Sequence, residues 1–368
     1  MHQCGTRDRM AKIGSFLPKE TKMTHNKISI HVSLVVIPDV MLSSLLGLFD
    51  VLNCFELIAT FDKAVSDENP FHAEIIAQAH EDKRTASGLT VAAHRTIEEI
   101  DHTDIIIIPS MMVEDGVWKK GRYPAIVNWL SDMHAKGAML CSACSGVLLL
   151  AETGLIDGRE ATIHWAYART FRHNFPNVHL RLEKVLVTEG DRQQFVMSGA
   201  SGSWHDLVLY IIARHIGPAA AQGIAKFMLL QWHVDGQAPY AVFDEPIDHG
   251  DSAILDIQNW LNKYFTIAAP VEEMVKWSGL AERSFKRRFK IATGYSPIVY
   301  VQHVRVEEAK RRLERTNAPI DEISWAVGYE DPSFFRRLFK RITLITPGAY
   351  RRKFRLPDFA TTDIRNRA

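Results

Sequence analysis

A pattern near the C-terminus occurs twice in one register. With Phe289 set on Phe339, Lys290 falls on Lys340, Thr293 on Thr343, Ser296 on Thr346, Pro297 on Pro347 and Tyr300 on Tyr350. A repeated order of Arg-x-Phe-Lys, Ser/Thr-Pro and Tyr reports a duplicated structural unit. In the first copy, Val271, Met274 and Val275 have helical spacing, and Gly279 can supply the positive φ of a tight turn. Residues 281–290 follow as a second helix. Phe285 and Phe289 share its buried face, which leaves Arg283, Ser284, Lys286, Arg287 and Lys290 mostly off that face. The second copy runs from 320–327 through the turn Gly328-Tyr329-Glu330 into a helix with Asp331 as N-cap and Pro332 at its first position. Phe335 and Phe339 take the buried side there, with Ser333, Arg336, Arg337 and Lys340 outside. Each copy is expected to be a helix-turn-helix, over 271–292 and 320–342. A helix buried on one side and studded with arginine on the other suits the DNA major groove, where a guanidinium bonds guanine bidentately or pairs with phosphate. Residues 298–315 contain no Gly or Pro and read as one connecting helix. Such a rod can hold two reading heads a turn of DNA apart, about 34 Å.

The run Gly-Tyr-x-Asp-x-Ser-x-Phe-x-Arg-x-Phe-Lys over 328–340, with Thr346-Pro347 and Tyr350-Arg351 after it, resembles the signature of the AraC/XylS family of bacterial transcription regulators. The resemblance covers residues 252–352. It implies double-stranded promoter DNA and RNA polymerase as partners and the nine exposed residues above as the DNA-binding set, with activator versus repressor left open. One position departs from the pattern: Gly294 follows the first recognition helix, but Leu344 stands at the matching place. A strained or differently shaped turn is expected there.

Net charge is +1, yet it is unevenly placed. Residues 283–355 hold 18 Lys and Arg against 7 Asp and Glu, leaving 26 against 36 elsewhere. A basic module able to displace counterions from phosphate is thus joined to an acidic one that should stay off the duplex. Four cysteines in 368 residues do not make a disulfide scaffold. No stretch reaches the ~20 apolar residues of a membrane span, and the N-terminus lacks the order of a secretory signal. A cytoplasmic protein without a membrane partner is expected. Residues 1–26 are polar and aperiodic and are expected to be a flexible extension, with Met23 either the true start or preceded by a dispensable segment. Residues 353–368 form a C-terminal tail.

Residues 27–217 alternate strands and helices. Strands are expected at 28–37, 71–79, 89–93, 105–108, 138–143, 185–188 and 194–197, and helices at 44–58, 123–136, 147–152 and 203–216. This pattern indicates an α/β three-layer sandwich with a mostly parallel sheet, followed by an all-α domain with two helix-turn-helix motifs. Between them, 218–251 reads as a helical linker with a helix at 219–234 and an exposed stretch at 248–251, ahead of a helix at 253–264.

The strand ending at Ala143 enters Cys144-Ser145-Gly146 and then a helix at once. A cysteine on such a turn is held at the carboxyl edge of the sheet, where the helix N-terminus lowers a thiol pKa and offers donors to an anion. This region resembles the PfpI protease/class I glutamine amidotransferase-like superfamily, with Cys144 on its nucleophile and His164 on its histidine. The stretches 151–159 and 161–165 are close to the form found fused to an AraC-type domain. The resemblance implies a domain that dimerises and senses a small-molecule metabolite, with Ser44, Ser110, Cys144, His164 and Asp206 as the candidate pocket. No catalytic residue is assigned. Ser44 stands where the superfamily often has an acid, and Pro109-Ser110-Met111-Met112 lacks the glycine that would help form an oxyanion hole. The alternatives are a cysteine-dependent hydrolase or amidase using Cys144 and His164, and a thiol redox sensor using Cys141 and Cys144. The Cys141-x-x-Cys144 spacing is read as coincidence, because Cys141 lies in a buried strand and no second pair exists. His164 can also be a satisfied core histidine, and Asp206 a first-turn carboxylate favoured by the helix dipole. Sixteen scattered histidines show no metal-site spacing, and no cofactor or metal is expected.

Overall fold

Eleven strands appear in the computed structural model, which describes residues 29–80 and 83–357. The flexible extension expected over 1–26, the choice of Met23 as start, Cys4 and the tail beyond 357 lie outside the described residues. The strands are β1 (Ile30–Val35), β2 (Phe71–Ala77), β3 (Lys83–Arg84), β4 (Thr90–Val91), β5 (Arg95–Thr96), β6 (Ile105–Ile108), β7 (Met139–Ala143), β8 (Glu160–Ala161), β9 (His179–Leu180), β10 (Leu186–Glu189) and β11 (Phe195–Ser198). Seven form one sheet in the order β10-β11-β7-β6-β1-β2-β5, parallel except where β10 meets β11. Ile105–Ile108 is buried along its whole length, as a strand covered on both faces must be. Helices α1 (Leu42–Asn53) and α6 (Trp204–His215) cover one face, and α3 (Pro124–Ala135) with α4 (Val147–Glu152) the other. The remaining helices of this half are α2 (Phe55–Ala59), α5 (Ala168–Asn174) and α7 (Pro218–Phe227).

Three sequence expectations need correction. The helix expected over 44–58 is two, because the ladder breaks at Cys54, whose thiol donates to Val51 O at 3.0 Å. The strand expected at 89–93 shrinks to Thr90–Val91, paired only with β3. The helix expected over 219–234 stops at Phe227: Leu229 takes φ 54° and Leu230 N–H closes on Ala225 O at 2.9 Å. From there the chain runs as a strap to Asp251, with one 3-10 turn at Ala238–Tyr240; it is docked around Gln237, Ala241 and Phe243, whereas Asp248 and Gly250 are exposed as expected. Gln237 is 1% exposed and its Nε2 donates to Thr162 Oγ1 and Ile163 O at 2.9 and 3.0 Å, on the α/β side. On the helical side Lys310 Nζ donates to Ala241 O at 2.6 Å, and Phe243 stacks on His303 at 4.8 Å.

The C-terminal half is helical: α8 (Ser252–Tyr264), α9 (Pro270–Ser278), α10 (Glu282–Thr293), α11 (Pro297–Arg315), α12 (Ile320–Ala326), α13 (Pro332–Thr343) and α14 (Pro347–Phe354). It has two hydrophobic cores. One gathers Ile254, Leu261, Met274, Phe285, Phe289 and Tyr300; the other gathers Leu313, Ile323, Val327, Phe335, Phe339 and Tyr350. Helix α11 is about 28 Å long at 1.5 Å per residue, and it contributes Tyr300, Val301 and Val304 to the first core and Val306, Ala309 and Leu313 to the second.

The repeat acquires its physical meaning here. Thr293 and Thr343 are buried at the ends of α10 and α13, where their hydroxyls bond back to Phe289 O and Phe339 O at 2.7 and 2.8 Å. Tyr300 and Tyr350 each send a hydroxyl to a carboxylate, Glu245 at 2.9 Å and Glu314 at 2.7 Å. Gly294 (φ 79°) and Leu344 (φ 64°) both sit in the left-handed region. The turn after α13 therefore keeps the shape of the first one, and Leu344 carries the strain of a side chain at positive φ. Leu344→Gly is expected to stabilise the helical half by about 0.5–1 kcal/mol, since relief of ~1–2 kcal/mol of left-handed strain outweighs glycine's unfolded-state entropy. Urea denaturation of the two proteins measures it.

Candidate nucleic-acid interface and strand-to-helix elbow

The two recognition helices present matching surfaces. Phe285, Phe289, Phe335 and Phe339 are each 0% exposed, which fixes the opposite faces of α10 and α13 outward. Arg283, Ser284, Lys286, Arg287 and Lys290 on α10 are exposed, and so are Ser333, Arg336, Arg337 and Lys340 on α13. Asp331 caps α13 through Ser333 N at 2.7 Å. Some of the cations already have intramolecular partners: Lys286 pairs with Glu282 and Arg336 with Asp321. Both pairs are solvent-exposed, so neither holds its cation firmly. Arg283, Arg287 and Lys290 have no ion pair among the described residues. Arg288 is different. It clamps Asp251, the N-cap of α8, with Nε and Nη2 at 2.6 and 2.9 Å, and serves the fold.

The elbow is built as the sequence order implies. Cys144 has φ 52° and ends β7, with Gly146 pressed against the β6 edge. Its chemistry differs from the expectation. The residue is 1% exposed, and burial raises the thiol pKa, only partly opposed by the hydroxyl of Ser201 and the nearby polar groups of Ser145 and Ser110. Cys144 Sγ lies 3.3 Å from Ser201 Oγ. His164 is not its partner: its Nδ1 accepts from Ala166 N at 3.2 Å, its ring packs on Trp165 and Tyr167, and burial lowers its pKa. Ser44 and Ser110 do meet near the elbow, but as structural groups. Ser44 is 0% exposed and its Oγ accepts from Ser110 N at 3.0 Å, while Met111 N is taken by Ser145 Oγ at 2.7 Å. Both backbone donors of the turn after β6 are therefore occupied. Asp206 is elsewhere. It is 1% exposed and accepts from His233 N at 2.9 Å and His233 Nδ1 at 2.7 Å, holding the strap. The five candidate pocket residues thus split into Ser44, Ser110 and Cys144 at the elbow, His164 on its own turn, and Asp206 under the strap.

Cys141 is fully buried in β7 and desolvation raises its thiol pKa strongly; Cys54, Cys141 and Cys144 are all free thiols. An open cleft of about 700 Å³ lies between the halves, walled by Trp165, Arg169 and Arg172 on one side, Phe243 of the strap, and Tyr295 and His303 on the other. Sequence reasoning missed it because its walls come from three separated segments. No helix among the described residues is long and apolar enough to cross a membrane.

Residues 274–353 match the HTH_18 helix-turn-helix domain family, and residues 44–202 match the DJ-1/PfpI family. The HTH-type transcriptional regulator CdhR of Pseudomonas aeruginosa is 24% identical over 279 residues, covering 74% of this chain and 80% of CdhR. The HTH-type transcriptional regulator GlxA of Rhizobium meliloti is 27% identical over 221 residues, 59% of this chain and 66% of GlxA. The crystal structure of an AraC family transcriptional regulator from Pseudomonas putida is similar over 54% of this chain and 99% of its own, at 16% identity and a TM-score of 0.45. The chain therefore joins a DJ-1/PfpI-family α/β domain to an AraC-type helix-turn-helix domain.

Proposed function

We propose that the protein is a transcription regulator that grips double-stranded promoter DNA with α10 and α13 and responds to a small-molecule effector through its α/β domain. The observation that carries this is the matched pair of exposed cationic helix faces, each set by a buried Phe pair and joined by one rigid helix. Arg287 and Arg337 occupy equivalent positions in the two copies. Arg287→Ala and Arg337→Ala are each expected to weaken specific binding by about 1–3 kcal/mol, or about 5–150-fold, with a shallower salt dependence. Gel-shift titration on the cognate promoter reads this, and unchanged specific affinity in both variants defeats the proposal. A homodimer formed by the α/β domain, contact with RNA polymerase and a cytoplasmic location complete it.

The α/β domain is read as a sensor without catalytic turnover. The Cys144 sulfur is buried, no imidazole among the described residues hydrogen-bonds to it, and both amides of the turn after β6 are bonded, to Ser44 and Ser145. Cys144 and His164 remain the effector candidates, and the interdomain cleft has Trp165, next to His164 in the chain, in its wall. Calorimetry with a metabolite panel, repeated on a Cys144/His164 double variant, tests this through loss of binding. The hydrolase reading separates on thiol chemistry. Alkylation of Cys144, followed by mass spectrometry across pH 6–9, is expected to stay slow, without an inflection below the ordinary value of about 8.5. Fast labelling with a midpoint near pH 6–7 favours the enzyme instead.

A further inference from the structure

We propose that His205, Asp206 and His233 form a binding site for a borderline divalent cation of the Zn²⁺ or Ni²⁺ type, and that this site fastens the interdomain strap to α6. The three donor atoms lie within 4.8 Å of one another. His205 Nε2 is 3.6 Å from Asp206 Oδ2, and His233 Nδ1 is 2.7 Å from the same oxygen. A tetrahedral cation with bonds of about 2.1 Å keeps its donors roughly 3.4 Å apart; His205 Nε2 is already near that spacing from Asp206 Oδ2, and His233 Nδ1 must draw back from its present 2.7 Å to admit the ion. Two imidazoles and one carboxylate are a donor set for first-row transition ions rather than for Mg²⁺ or Ca²⁺.

The surroundings fit this use. Asp206 is buried and no Lys or Arg pairs with it among the described residues; its only ionic neighbours are the two histidines. Its Oδ1 accepts from His233 N, which fixes the carboxylate with Oδ2 towards both rings. Both rings keep an edge to solvent, at 14% and 25% exposure, so an ion has a way in. Loading requires each neutral ring to carry its proton on the other nitrogen, Nε2 of His233 and Nδ1 of His205, so that the ion replaces the hydrogen bonds to Asp206 Oδ2 and Gln231 O with no net proton lost. The other grouping of this kind, His31, His72 and Glu74, is less suited, because the Arg95 guanidinium already reaches Glu74 at 3.5 Å.

The consequence reaches the DNA-binding half. His233 packs edge-on against Tyr240, Tyr240 against Phe354 of α14 at 5.0 Å, and Asp235 holds Lys353 of α14 at 2.8 Å. A loaded site therefore holds the strap against α6 at one end while the strap holds α14 at the other.

The test is isothermal titration of the full chain, stripped with EDTA and dialysed, with ZnCl₂ and NiCl₂ alone. A site of micromolar or tighter affinity is expected, reduced at least about 100-fold in both His205→Gln and His233→Gln, retained in His72→Gln, and absent with MgCl₂. His205→Gln keeps the Asp206–His233 hydrogen bond, so its fold is preserved, and a thermal melt verifies it. A site of unchanged affinity in His205→Gln and His233→Gln, one lost in His72→Gln, or no binding in the wild type overturns the proposal.

Discussion

Arg305→Ala is expected to cost the helical half about 3 kcal/mol or more, since three buried carbonyls lose their donor at about 1–3 kcal/mol each. Arg305 is 6% exposed and lies on α11 between its two hydrophobic cores. Its Nε donates to Phe265 O, Nη2 to Ile267 O and Nη1 to Gly328 O, at 2.7, 2.7 and 2.9 Å, and the guanidinium lies 4.9 Å over the Tyr329 ring. One side chain thus ties the α8–α9 turn to the turn of the second helix-turn-helix. Without it three carbonyls face a void, and the two heads lose a bond that sets their relative placement. Lysine does not rescue this, because one ammonium cannot reach three carbonyls in a planar fork. Arg311→Ala is the control: its pair with Glu308 is on the surface, so under about 1 kcal/mol is expected. Urea melts of the three proteins decide it. A loss below 1 kcal/mol in Arg305→Ala would mean that the cores alone hold the two motifs together. DNA affinity should fall with Arg305→Ala although the side chain is buried and on neither exposed helix face.

Gly146→Ala is expected to destabilise the α/β half by at least about 3 kcal/mol. A Cβ on Gly146 would lie 2.3 Å from Ile108 O and 2.7 Å from Pro109 O, both backbone atoms that cannot move without shifting β6. The close approach is what seats α4 against the sheet edge and holds Cys144 on its turn. Gly202→Ala serves as reference, since a Cβ there meets nothing within 4 Å. Scanning calorimetry should show the α/β transition lowered by about 10 °C in Gly146→Ala, with the helical transition and DNA binding to isolated sites little changed. Equal melting of the two glycine variants would mean that the elbow can relax.

Much of the fold was legible because the information was local. Phe285, Phe289, Phe335 and Phe339 announce a buried helix face by spacing alone, and the charged residues of those helices then lie outside. The four consecutive isoleucines of β6 announce a doubly covered strand in the same way. The register of the repeat was visible too, although why Thr293 and Thr343 recur became clear only when each was found bonded to its own helix's Phe carbonyl. Helix ends were harder: Cys54 and Leu229 interrupt sequences whose periodicity runs on.

The sequence by itself determined two modules, their classes, the faces of the recognition helices and the elbow cysteine, because periodicity of 3.6 or 2 residues and turn chemistry act within a few residues of chain. The tertiary structure decided the rest. It put Arg305 across two motifs, gave the Ser110 and Met111 amides to Ser44 and Ser145, separated His164 from Cys144, and brought His233 back to His205 and Asp206. Each of these depends on where distant segments cross, and no local rule carries that information: a side chain's partner is set by the path of the whole chain, while its burial is set by its neighbours in sequence.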